Sequence, residues 1–496
     1  MLFNSLEFLL FLPIVFAAFW CTPSRWRWIP LLAASYYFYM YWSPRLIFLI
    51  MFTTVVSYVC GILMDRIQKD RIALRRLVLI VTMVSCLGVL VFFKYFTFLY
   101  QAFYDALALI GSGSPAGYFS IILPVGISFY TFQTMSYVVD VYRGQIPAEK
   151  HFGYYALFVT FFPQLVAGPI ERPENLLPQL KAPHKLREID YVGAFRLMLV
   201  GFFKKIAVAD AIGLVVNATY NHVDEVNGLA ALISVLLFSA QIYCDFSGYS
   251  DIAVGCAKLF GVNLMENFNT PYVSKSIKEF WNRWHISLSS WLRDYIFFPV
   301  GGSRVRTARW IFNISLVFFV SGLWHGANYT FIIWGMMHAF FQIVGKFTLG
   351  ARNRAWTAIG VEPEGKLVSR LRNLGTVALV TLSWIFFRAD SVSDAFVILK
   401  KIFSDYAFTG EYLQSTVSAL SLSLTSVLYG VFALLMMLCL EKLKYPEKAF
   451  VTDRFSSRTR SILRFCCYVA MVWCIIGVWI MLQESNVGSS FIYFQF

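Results

Sequence analysis

The chain has 496 residues, of which 58% are hydrophobic and only 14% charged, against roughly 25% charged in a soluble globular protein. Its formal net charge of +14 would suggest nucleic acid in a soluble protein. In a chain whose apolar runs reach membrane-spanning length from end to end, excess Lys and Arg is what loops on the cytoplasmic side carry. The composition therefore excludes a nucleic-acid role and leaves no soluble domain of any size. It defines an all-α polytopic membrane protein.

The first twenty residues, Met1 to Trp20, lack the basic region and the small-residue cleavage site of a signal peptide, so they read as a retained first helix. About twelve spanning segments follow in order: 6–20, 28–43, 45–64, 77–96, 121–141, 192–216, 229–250, 309–325, 328–347, 373–389, 421–440 and 461–482. With the N-terminus outside and the segments alternating, the inner loops hold 34 of the 42 Lys and Arg residues. The outer side keeps only Arg45, Arg388, Lys400 and Lys401. That asymmetry sets the orientation, with both termini outside. The nine cysteines fall mostly in apolar runs and form no CxxC pair, so they read as small hydrophobes.

Two stretches depart from plain spans. Phe152 to Ala167 runs into Pro163 and then Gly168-Pro169, which predicts a re-entrant or interfacial helix and not a crossing. From Phe280 onward, Trp281, Trp284, His285, Leu288, Trp291, Leu292 and Tyr295 recur at three- and four-residue spacing, with Lys278, Asn282, Ser289 and Arg293 opposite. This predicts one amphipathic helix on the inner surface, its tryptophans at headgroup level and His285 on its apolar side.

The polar residues at membrane depth carry the chemistry. His325 ends the apolar run before Gly326, and an imidazole there can take a proton from a hydroxyl near neutral pH. His285 would orient a substrate or share that role. His338 reads as a packing or hydrogen-bonding residue, and His151, His184 and His222 as solvated loop residues. Asp245 and Asp251 bracket Phe246 to Ser250 at a helix end, where structural pairing is favoured over catalysis. Gln164 sits in the helix-breaking turn, and Trp284 and Trp324 adjoin the two histidines. These five are the substrate-path candidates. Gly301-Gly302-Ser303-Arg304 is a basic turn that either holds phosphates of a cytosolic cofactor or serves as an ordinary positive loop. There is no HxxxH pair, Cys/His cluster, phosphate-binding glycine loop or GxSxG elbow, so no metal is expected.

Taken together, Pro124 to Gln133, Phe162 to Ile170, Asp245 to Asp251, Phe280 to Ser287, Gly301 to Arg304, Leu323 to Ala327 and the terminal Phe491 to Phe496 resemble the membrane-bound O-acyltransferase family. The resemblance is to its bacterial branch, which includes alginate O-acetylation and teichoic-acid D-alanylation proteins. It covers nearly the whole chain. It implies a single domain over 1–496, with N-terminal helices 1–120, a catalytic core 121–347 and C-terminal helices 348–496. It also implies His325 as the catalytic histidine with His285 as partner, and acetyl-CoA as the acyl donor, its phosphates met by Arg304 and Arg143. The expected acceptor is an exopolysaccharide, reached through a periplasmic partner of the SGNH-hydrolase type, at the inner membrane of a bacterium. The alternatives that stand beside it are D-alanyl or other small-acyl transfer and, from another class, a transporter or lipid flippase, against which no internal repeat is visible.

Overall fold

A computed structural model of the chain describes residues 1–110, 121, 123–421, 429–433, 435–437 and 457–484. The described residues form helices and no strand. Six helices are long and apolar enough to cross a membrane: Pro44–Arg66, Ile72–Ala108, Gly228–Lys258, Thr307–His325, Tyr329–Ala358 and Phe465–Leu482. Each matches a segment predicted from hydropathy. The chain is a multi-pass membrane protein. The predicted segments 6–20 and 28–43 are helices of 16 and 13 residues. The predicted 121–141 segment becomes helical only at Ile127. Most of 421–440, and the terminal Phe491 to Phe496, lie outside the described residues.

By its internal contacts the chain divides into two compact units, Met1–Met198 with Ile252–Glu266, and Leu199–Asp251 with Asn267–Phe496. The first unit shows how a membrane helix is oriented. Along Ile47–Arg66, the exposed positions are large and apolar (Phe48, Phe52, Val55, Val59). The buried ones include Thr53, Thr54, Ser57 and Gly61. Lipid accepts the bulky stripe at no cost, while small and hydroxylic residues let neighbouring helices approach and bond. Ser57 accepts a hydrogen bond from Tyr155 at 2.6 Å, and a Cβ on Gly61 would collide with the Tyr137 ring.

The Pro163 break also belongs to this unit. Helix Phe152–Thr160 stops, Phe161 turns out of helical geometry, and a short helix Phe162–Leu165 follows. The Phe162 amide, turned away from its own helix, donates to Ser35 Oγ at 3.1 Å. The carbonyl of Phe158 instead receives the side-chain amides of Gln133 and Gln164, at 2.6 and 2.8 Å. Nearly all of 153–173 is buried. A broken helix survives at this depth because side chains take over the freed backbone groups.

In the second unit, the Phe203–Asp210 stretch is π-helical and buries two adjacent lysines. The extra residue per turn aims both into the protein. Lys204 pairs with Asp251 at 3.1 Å, and Lys205 with Asp210 and Asp245 at 2.8 and 2.6 Å. Gly248 permits the close approach this needs, since a Cβ there would stand 2.7 Å from the Gly201 carbonyl oxygen. Thr307–His325 and Tyr329–Ala358 form a tight helical hairpin. Gly322 lies against the Phe331 carbonyl and Gly335 against that of Phe318, with no room for a Cβ on either.

Candidate active site

The amphipathic stretch from Phe280 to Tyr295 is not one helix. It forms two, Ile277–Arg283 and Ile286–Leu292, broken at Trp284 and His285. His285 sits in the left-handed region at φ 43 and ψ 54, where a side chain costs about 1–2 kcal/mol. The three- and four-residue spacing misled because it persists on both sides of the break. The tryptophans do not face lipid either. Trp281, Trp284 and Trp291 are 7%, 0% and 3% exposed, packed inside protein. Lipid-facing tryptophan and core tryptophan leave the same pattern in a sequence.

The segment after Asn267 holds this break in place. The Asn267 carbonyl accepts from the Ile286 amide at 3.0 Å, and its side-chain oxygen from the Ser287 amide at 3.2 Å. These are first-turn amides that a helix cannot pair internally. Asn267 in turn donates to Ser250 at 3.1 Å. Two residues on, the Asn269 amide donates to the Arg283 carbonyl, at the end of the first helix. Asn267 escaped the sequence reading, since only its neighbours in space reveal its function.

The break turns the His285 ring inward. It meets Phe246 edge-on at 4.7 Å between ring centroids, Trp324 at 5.4 Å and His325 at 6.2 Å. The residue is wholly buried, and burial pushes its imidazole down to about 3, so the ring is neutral. Neither of its ring nitrogens has a hydrogen-bond partner among the described residues. His325 closes its helix at the hairpin turn, 5% exposed. Trp334 lies perpendicular to it at 4.9 Å, and Phe387 at 5.2 Å. The hairpin's glycine contacts place Trp334 there. Two histidines forty positions apart thus share one aromatic enclosure, all within the second unit.

The third buried histidine differs. His338 Nδ1 accepts from Trp281 Nε1 at 3.2 Å, and its Nε2 meets Ser383 Oγ at 3.0 Å. Ser383 itself donates to the Val380 carbonyl. With Nδ1 accepting, Nε2 carries the proton and donates. Both nitrogens are committed, and His338 holds helices together.

The remaining sequence candidates separate. Asp245 and Asp251 are paired to the buried lysines, the structural role favoured by the sequence. Phe246, next to Asp245, packs on His285. The sequence reading missed Lys204 and Lys205 as partners. Gln164 and Arg143 belong to the first unit, Gln164 in the broken turn and Arg143 exposed at a helix end. Arg304 is exposed in the second unit. The turn before it, with positive φ at Gly301 and Gly302, is fastened by Asn313 donating to the Gly302 carbonyl at 3.0 Å.

The structure thus gives a multi-pass helical membrane protein with two histidines, His285 and His325, buried in one aromatic enclosure. Residues 149–359 match the family model of the membrane-bound O-acyltransferases, a span that includes both histidines. The chain is 38% identical to a probable alginate O-acetylase of Pseudomonas aeruginosa, over 82% of this chain and 75% of that one. It is 32% identical to a peptidoglycan O-acetyltransferase of Helicobacter pylori, over 81% and 79%. A teichoic acid D-alanyltransferase of Bacillus subtilis is 31% identical, over 48% of this chain. The chain belongs to the membrane-bound O-acyltransferase family and is an acyltransferase, which displaces the transporter reading.

Proposed function

We propose that this protein O-acetylates a cell-envelope polymer, taking acetyl from acetyl-CoA on the cytosolic side of a bacterial inner membrane and passing it to a hydroxyl at the outer face. The carrying observation is that the His325 and His285 rings lie 6.2 Å apart, centroid to centroid, inside one buried aromatic enclosure. The acetyl group and the alginate-like acceptor rest on the relatives named for O-acetylation, which match over four fifths of the chain. The D-alanyl reading stands second on a relative that matches about half of it.

His325 removes the proton of the acceptor hydroxyl as its oxygen bonds to the acyl carbon. The carbon–sulfur bond of the thioester then breaks, and the imidazolium returns its proton to the departing thiolate. His285, kept neutral by burial, positions the acyl group beside it. Trp284, Trp324 and Gln164 remain path candidates, and Arg304 and Arg143 candidate contacts for the CoA phosphates. Twelve spans with both termini outside give the donor and acceptor opposite faces, and an SGNH-type partner would carry acetyl onward to the polysaccharide.

Purified protein in liposomes, given radiolabelled acetyl-CoA and an outer-face hydroxyl acceptor, tests this. Wild type is expected to turn over, and His325→Ala to lose roughly 10²–10⁴ in rate while staying folded. Wild-type turnover in the variant ends the base assignment. Turnover only with a D-alanyl carrier protein replaces the acyl group and keeps the site.

A further inference from the structure

Trp334 is completely buried, and its indole Nε1 has no hydrogen-bond partner among the described residues. Buried polar groups are almost always paired, and indole is a donor only. The group that completes it must therefore bring an acceptor. The rings packed on Trp334 other than that of His325 do not supply one. They are Trp281, Phe387 and the stacked Trp384, with His338, whose nitrogens are already committed. The remaining ring in contact is that of His325, which stands perpendicular to the indole at 4.9 Å. The indole ring thus packs directly on the ring of the proposed base, beside which an acyl carbonyl and its attacking hydroxyl would meet. Trp384, stacked on Trp334 at 5.8 Å, is the instructive contrast. Its Nε1 donates to Tyr272 Oη at 3.3 Å and is accounted for.

We propose that the Trp334 indole N–H is the hydrogen-bond donor to the acyl carbonyl oxygen during transfer. As the hydroxyl oxygen bonds to the acyl carbon, the carbonyl electron pair moves onto its oxygen, and the indole N–H donates to that developing oxyanion. When the pair returns, the thiolate leaves and receives the proton held by His325. A preformed donor in a dry enclosure is the arrangement that stabilises charge appearing only in the transition state.

This inference rests on the transfer reading above, and the test keeps the two apart. Trp334→Phe and Trp384→Phe each shorten an indole to a benzene ring in the same cluster. The full-length protein in liposomes is assayed with acetyl-CoA, beside wild type and His325→Ala, with thermal unfolding of each. Trp334→Phe is expected to lower kcat by roughly 10²–10³, with KM for acetyl-CoA within about threefold, and Trp384→Phe to stay within about threefold of wild type in both. If wild type turns over, His325→Ala does not, and Trp334→Phe keeps kcat within threefold, the inference fails alone. An equal fall in both tryptophan variants, which a general packing role predicts, also overturns it. No turnover by wild type refutes the reading beneath it.

Discussion

The left-handed backbone at His285 makes a prediction whose sign separates two folds of the same sequence. Both His285→Ala and His285→Gly delete the imidazole and its packing on Phe246, Trp324 and His325. They differ only in what the backbone asks of them. At φ 43 alanine keeps the left-handed penalty of about 1–2 kcal/mol. Glycine escapes it but loses about 0.5–1 kcal/mol to the entropy of its unfolded chain. Glycine is therefore expected to be the more stable variant by about 0.5–1 kcal/mol. In an unbroken amphipathic helix through position 285, alanine would win by about 1 kcal/mol. Equilibrium unfolding in mixed detergent micelles, followed by tryptophan fluorescence, resolves the two. Acyl transfer should be lost to the same degree in both, which shows that the stability difference lies in the backbone. A more stable alanine variant would refute the break and, with it, the inward turn of the ring.

Two further outcomes follow from buried charge. Lys205→Met removes the lysine paired with both Asp210 and Asp245, and is expected to cost about 3–5 kcal/mol. Adding Asp210→Asn and Asp245→Asn should restore most of the folded yield measured by size exclusion, and no recovery would refute the pairing. Glu171 lies in the loop after the Pro163 break, fully buried, accepting from the Met265 amide and Asn175. Burial raises its carboxyl from the ordinary 4.5 to about 7. The folded state therefore holds a proton that the unfolded chain has released between these values, so stability present below pH 4.5 is lost as pH rises through 7. Wild type should lose up to about 3 kcal/mol relative to Glu171→Gln over that window, and parallel pH profiles would exclude the effect.

Much of this protein was legible without coordinates. Hydropathy over 45–64, 77–96, 229–250, 309–325, 328–347 and 461–482 marked the six helices able to cross a membrane, because a bilayer imposes length and apolarity locally, on consecutive residues. An imidazole at membrane depth made His325 a candidate for the same reason, since its cost is paid wherever the helix goes. The Pro163 break was legible too, because a proline's missing donor is a property of one residue.

What tertiary structure alone decided is everything that depends on a partner distant in sequence. One periodic stretch from Phe280 became two helices because the Asn267 carbonyl and side chain satisfied the first amides of the second. Nothing between 280 and 295 encodes that. Three histidines of the same composition class divided by contact: His338 spent both nitrogens on Trp281 and Ser383, whereas His285 was turned against His325. The buried lysines drew Asp210, Asp245 and Asp251 across the unit. Hydrophobic length is written along the chain, but the burial that sets His285 against His325 is a sum over neighbours that only the packed helices bring together.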